Sequence, residues 1–251
     1  MKRFFVVAAF LFPAVVSQAQ QQIIEKGTIE FERKTNLYKA IEADENEDNS
    51  AFYETFKKQL PEYKISYFNL SFDRDKTLYA PGREPDAGKK VPDWMESPAE
   101  DNIVYTDLST QTFISEKKVF EATYNIQDSL RKAEWKITDD KRTIAGFECR
   151  KATTIIMDSV FVFAFYTDQI VTNGGPESFS GLPGMILGIA IPRIHTTWFA
   201  TKLEAAEIKP NTIVPPQKGK KTNLSSLKTI LHNSLKDWGK YAERNTWNII
   251  I

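Results

Sequence analysis

The residues of this chain best able to do chemistry are few and scattered. It has one cysteine, Cys149, and two histidines, His195 and His232. A thiolate and two imidazoles are the ligand types that hold zinc or copper, and they can also build a nucleophile with its base. The three stand far apart in sequence, and neither histidine has a second ligand at metal-binding spacing. His195 reads as a partly buried histidine on a strand face shared with Thr197 and Phe199. His232 reads as a flank position beside Leu231 and Leu235 on a helix. Cys149 has no disulfide partner within the chain and reads as a small buried hydrophobe on the strand face of Phe147. Its functional alternative is a reactive thiol or an intermolecular disulfide. The carboxylate pairs Asp139–Asp140 and Glu204–Glu207 have the chemistry for acid–base work, but charges this close on turns are ordinarily solvated. No GxSxG, HExxH, CxxC, Walker or GxGxxG pattern occurs. The expectation is therefore no catalytic residue, no metal and no cofactor.

One stretch stands out, running from Gly174 to Leu187. In it Gly175, Pro176, Gly181, Leu182, Pro183 and Gly184 are the candidate site residues. Glycine allows positive φ and proline fixes φ near −65°, so a tight structural turn with Leu182 plugging a core is one reading. A nest of backbone N–H groups that binds an anion is the other.

These residues must be positioned by strands. Thr28–Thr35 alternates, with Ile29, Phe31 and Arg33 opposite Glu30 and Glu32. Tyr63–Phe72 alternates with a slip near Tyr67–Phe68, which suggests a bulge or two covered faces. Asp73–Lys76 reads as a turn, and Thr77–Ala80 pairs back. Asn102–Asp107, Thr110–Ser115 and Lys118–Ile126 read as an antiparallel meander. Leu130–Thr138 and Arg142–Ile156 flank an expected turn at Asp139–Lys141. Val160–Thr167 places Phe161, Phe163 and Phe165 on one face and apolar residues on the other, so both faces should be covered. Met185–Ile191 and Arg193–Ile208 read as two further strands.

Helical patterns are rarer. Asn49 or Ser50 can cap a short helix with the stripe Phe52, Phe56 and Leu60, stopped by Pro61. After a linker at Pro210–Lys221, Asn223 can cap a helix from Leu224 to about Ala242. Its stripe is Leu224, Leu227, Leu231, Leu235, Trp238 and Tyr241, and it should pack on the sheet. Asn245–Ile251 reads as an apolar tail, in one reading a closing strand. Acidic Glu42–Asp48 and proline-rich Pro81–Pro98 read as loops. The expected fold is mainly β (α+β): a single curved antiparallel sheet or open half barrel with a short N-terminal helix and a packed C-terminal helix. At fold level this is similar to periplasmic lipoprotein carriers.

Residues 1–19 have the three zones of a secretory signal. Lys2 and Arg3 come first, Phe4–Val16 is apolar, and Ser17 and Ala19 are small residues before an expected cleavage at Gln20. The apolar run contains Pro13 and is short of the roughly 20 residues of a spanning helix. The expected mature chain, 20–251, is one β-rich domain without a transmembrane segment, periplasmic or secreted, and monomeric. The full chain has 33 basic and 33 acidic residues, so loss of Lys2 and Arg3 leaves the mature chain slightly acidic. Nothing in that balance attracts nucleic acid.

Gly181-Leu182-Pro183-Gly184-Met185-Ile186 resembles the signature of the GLPGLI family, with Met185 in place of the usual leucine. Other blocks agree in order: Trp135–Ile137, Ile144–Ala152, Phe165–Ile170 and Gly175–Pro176, with Phe68–Leu70 and Leu78–Tyr79 before them. The resemblance implies an exported Bacteroidetes-type protein, and no catalytic residue comes with it. Gly188, where an acidic residue often follows the signature, and Ile170-Val171, which lacks the usual proline, depart from the pattern.

Three functions compete on this reading. A binding module would offer a cleft for an apolar small molecule or peptide. An envelope assembly protein would meet an outer-membrane protein partner through an edge strand or a loop. An enzyme would need clustered ionisable residues in a cleft. A solvent-open apolar cavity would mark the first. A filled interior with an exposed apolar patch would mark the second.

Overall fold

The structure, a computed structural model, describes residues 23–42, 50–86, 91–92, 98 and 100–251. The expected signal segment 1–19, the acidic stretch 43–48, the cap residue Asn49 and much of the proline-rich loop after Pro81 lie outside the described residues.

The alternating segments form one sheet of twelve strands: β1 (Lys26–Asn36), β2 (Tyr63–Asp73), β3 (Lys76–Pro81), β4 (Ile103–Asp107), β5 (Thr112–Val119), β6 (Ala122–Ser129), β7 (Lys136–Ile144), β8 (Phe147–Ile156), β9 (Val160–Thr167), β10 (Met185–Ile191), β11 (Thr196–Glu204) and β12 (Lys220–Thr222). Their spatial order is β12-β6-β5-β4-β3-β2-β1-β11-β10-β9-β8-β7. Two meanders thus share a centre, where β1 pairs antiparallel with β2 on one side and β11 on the other. All named pairs are antiparallel except β12 with β6. The fold is mainly β, a curved open half barrel with few helices, as the alternation predicts.

Inward side chains build the core by the two-residue period of extended chain. Ile29 and Phe31 of β1, Phe68, Leu70 and Phe72 of β2, and Val160, Val162 and Ala164 of β9 are all buried. Fully burying each large apolar side chain is worth about 1.5–3 kcal/mol, so this face dominates stability. Arg33, the last inward residue of β1, is buried too, paired with Glu100 and lying 4.8 Å over the Phe68 ring.

Helices α1 (Leu37–Glu42), α2 (Ser50–Lys57), α3 (Leu224–Leu235) and α4 (Lys240–Ile250) complete the fold. Asn223 caps α3 as expected, accepting from the Ser226 amide at 2.8 Å. Leu227, Leu231 and Leu235 are buried, and the α3 stripe packs on the core.

Several expected boundaries are corrected. The hairpin turn between β7 and β8 is Ala145-Gly146, with φ of 48° and 86°, the double positive φ that suits a two-residue hairpin. The expected turn at Asp139–Lys141 is instead a register shift within β7. The turn between β5 and β6 falls at Phe120, not before Lys118, so β5 runs on through Lys117. Strand β2 has no bulge against β1; the slip at Tyr67–Phe68 reflects partial cover on both faces, with the Arg83 guanidinium 3.5 Å over Tyr67. Strand β11 starts at Thr196, because Pro192–Ile194 form a 3-10 turn first. The expected linker ends in β12. The expected single C-terminal helix breaks at residues 236–239, and the apolar tail is helix α4, not a closing strand. Both faces of β9 are not covered: Phe161 is 55% exposed.

Candidate functional site

The glycine–proline stretch runs through the inside of the half barrel. Gly175, Pro176, Leu182 and Gly184 are buried, whereas Gly181 and Pro183 reach the surface. Leu182 is part of the buried core cluster. Three amides bond within the stretch. The Phe179 amide donates to the Pro176 carbonyl, the Gly184 amide to that of Leu182 and the Ile186 amide to that of Gly174. Trp135 Nε1 donates to the Ser180 carbonyl at 2.9 Å and pins the loop from outside.

At the loop's innermost point stands a side chain that the sequence reading passed over. Glu177 is 3% exposed, sits at φ 54°, and accepts from Asn102 Nδ2 at 3.0 Å. Burial, and then the charge of Glu177, pushes the Tyr79 phenol well above its ordinary range. Lys117 is 4% exposed, and its Nζ donates to the Ile249 carbonyl at 3.1 Å. Arg131 donates to the Ile250 carbonyl at 3.3 Å. Two cations thus meet the end of α4, where the helix dipole is negative and carbonyls lack intrahelical partners. Burial lowers the pKa of Lys117, with Glu177 opposing. The inner cavity that Val104, Ser115, Lys117, Glu177 and Ile250 line is about 10 Å³. That is room for about one water molecule, so these groups form a polar core and not a ligand chamber. Lys117 was legible in principle: it continues the inward series Phe113, Ser115, Lys117, Val119.

The other candidates lie apart. Asp139 lines an open polar groove of about 500 Å³ with Lys141, Glu148, Arg150 and Asp168. Lys141 pairs with Glu148 at 2.7 Å and Lys151 with Asp140 at 2.9 Å. Glu204 pairs with Lys202, and Glu207 with Lys26 at 2.6 Å. His195 occupies the left-handed residue that caps the 3-10 turn, not a strand face; its amide donates to the Pro192 carbonyl and its carbonyl accepts from the Asn36 amide. Burial first, then Arg244 and Lys39, lowers its pKa. His232 is exposed on α3. Among the described residues no three His, Cys, Asp or Glu side chains converge as metal ligands, and no helix is long and apolar enough to cross a membrane.

Cys149 is buried, and its thiol is pushed up to about 12, chiefly by burial. Thiolate is the reactive form. In the folded protein Cys149 should therefore resist a thiol reagent at pH 8, and react at once after denaturant is added. Rapid stoichiometric labelling of the native protein, read by mass, would overturn this.

The convex face carries a different feature. Phe161, Phe163 and Phe165 stand in line along β9. The Arg142 guanidinium lies 4.5 Å from the Phe199 ring centre and 5.8 Å from that of Phe165. Phe161 and its cross-strand partner Ile155 are exposed.

Comparison with known proteins bears on the whole sheet. The family described as "N-glycanase peptide, N-terminal domain" matches residues 88–228, more than half of the chain. This chain belongs to that family. Two crystal forms of PNGF-II, in space groups P21 and C2, have a similar fold. They align with TM-scores of 0.52 and 0.51 at 14% identity and cover 82% of this chain. The chain spans about a third of their length, 33% and 32% respectively. No curated protein matches it. Membership of the N-glycanase N-terminal family thus agrees with the half barrel and assigns no site residue.

Proposed function

We propose that this is an exported, non-catalytic interaction domain of GLPGLI type, which docks a protein partner on the convex face of its sheet. The observation that carries this reading is the filled interior. Loop residues Gly174–Gly184 and helix α4 occupy the concave side, where an apolar small molecule would otherwise sit. That leaves the outside for recognition, and there the apolar pair Ile155 and Phe161 faces solvent. Family membership supports an accessory role: the chain matches only an N-terminal domain, and it spans about a third of PNGF-II, 33%. By this reading the chain serves beside an enzyme body or an outer-membrane protein and contributes no catalytic group.

The test uses protein exported from its native host. Native mass spectrometry should find a chain starting at or within two residues of Gln20, with no small-molecule adduct. A photo-crosslinking residue at position 161 should capture a protein, and one at position 218, beside the opposite sheet edge, should not. Once purified, the captured partner should bind the parent protein and fail to bind Phe161→Ser. A stoichiometric lipid-like adduct, or equal crosslinking at both positions, would defeat the proposal.

A further inference from the structure

We infer that the convex face of β8–β11 recognises an extended peptide segment carrying a carboxylate about four residues from an apolar side chain. This inference rests on the interaction reading above and names the chemistry of the partner. Its first support is Arg142. The guanidinium is exposed, stacked near the rings of Phe199 and Phe165, and has no hydrogen-bond or ion-pair partner among the described residues. Neighbouring cations are already matched: Lys151 by Asp140, Lys141 by Glu148, and Arg193 by Glu243 at 3.9 Å. Arg150 is also exposed without a partner among the described residues, but it lies over no ring; Arg142 keeps its planar donor fork unspent and is held in place by two rings. That is the arrangement that favours bidentate recognition of a carboxylate.

The second support is what lies beside it. Residues two apart on a strand share a face, so Phe161, Phe163 and Phe165 form one ridge roughly 13 Å long. Lys151 covers Phe163 from one side, its Nζ 5.6 Å from the ring centre. At the far end Phe161 and Ile155 pair across the strands and face solvent. Next to the ridge, β10 presents Gly188 and Ala190, paired with Phe165 and Phe163. Gly188 is itself covered by the Phe199 ring and the Ile144 side chain, so the open part of the ridge is its Phe163–Phe161 end. An extended peptide rises about 3.3 Å per residue, so four residues span the distance from Arg142 to the exposed apolar pair. Strand β9 lies inside the sheet, which excludes pairing by backbone addition and leaves side chains to do the recognition.

The probe is a set of ten-residue peptides with one aspartate and one leucine four residues apart, followed by fluorescence anisotropy. Controls carry asparagine for aspartate or place the two residues adjacent. The full mature chain should bind the first peptide at least about tenfold more tightly than either control. Arg142→Gln and Phe161→Ser, both exposed positions, should each lose about tenfold while keeping the parent melting curve. Arg142→Lys should recover only part, because an ammonium lacks the fork and the flat stacking surface. Full recovery by lysine would mean diffuse charge attraction and would overturn the inference. So would equal binding of all three peptides. Binding instead to phosphatidylglycerol vesicles, or self-association abolished by Phe161→Ser, would also overturn it, in favour of a lipid surface or a second copy. If position 161 still captures a protein while no peptide binds, the interaction domain stands and only this inference falls.

Discussion

Replacing Gly184 by alanine should cost roughly 3–5 kcal/mol, whereas the same change at Gly181 should cost about 1 kcal/mol. Both residues have positive φ, 141° and 91°. Their surroundings separate them. A Cβ at Gly184 would overlap the carbonyl oxygen of Thr167 and press on backbone atoms that cannot swing aside. A Cβ at Gly181 would meet only the Trp135 ring, at 3.6 Å. Backbone strain acts at both positions, and a clash with backbone adds to it at Gly184 alone. For a chain of this length each kcal/mol moves the melting temperature by about 2–4 °C. Gly184→Ala should therefore melt roughly 10 °C below the parent, and Gly181→Ala within a few degrees of it. Equal shifts for the two variants in calorimetry would show that close approach to Thr167 is not what requires a glycine at 184.

That contrast bears on what the glycine–proline loop is for. A loop that bound an anion would hold its N–H groups open and face solvent. This one buries Leu182, Pro176 and Glu177 and returns three of its amides, those of Phe179, Gly184 and Ile186, to carbonyls of the same stretch. Its composition follows from where it runs. A chain crossing the inside of a half barrel needs left-handed turns, close backbone approaches and an apolar plug, and glycine, proline and leucine supply them.

The strands were legible because alternation is a strong signal wherever one face is buried and the other is wet. Ile29, Phe31 and Arg33 declare the register of β1 without help. The hairpin between β7 and β8 was not, because Asp139-Asp140-Lys141 has the charge of a turn. Ala145-Gly146 carries the actual turn with only one typical turn residue. The buried polar core was also missed. A lysine and a glutamate read as surface until their partners are known, and those partners come from distant segments: Lys117 meets Ile249, and Glu177 meets Asn102. Such pairings exist only once the sheet has curled, and no local pattern encodes them.

The C-terminal helices show the same limit, and there it decides the last prediction. The stripe from Leu224 to Tyr241 keeps its helical spacing straight through the break at residues 236–239, so periodicity alone extends one helix onto Trp238. In the structure Trp238 is 46% exposed and touches the Phe120 ring at 5.5 Å, whereas Trp247 of α4 is buried and lies 4.5 Å under the Arg193 guanidinium. Trp247→Ala should therefore leave a large cavity and cost about 3–5 kcal/mol. Trp238→Ala loses one partly exposed ring contact and should cost about 1 kcal/mol. The first change should loosen α4 as a whole. Its end is held by Lys117 and Arg131, and losing that contact would strand a buried lysine without an acceptor. Denaturant midpoints compare the two directly. In addition, amide exchange should rise across 240–251 in Trp247→Ala and stay at the parent level in Trp238→Ala. A larger midpoint shift for Trp238→Ala than for Trp247→Ala would mean that α3 continues into the core and that α4 does not fill it.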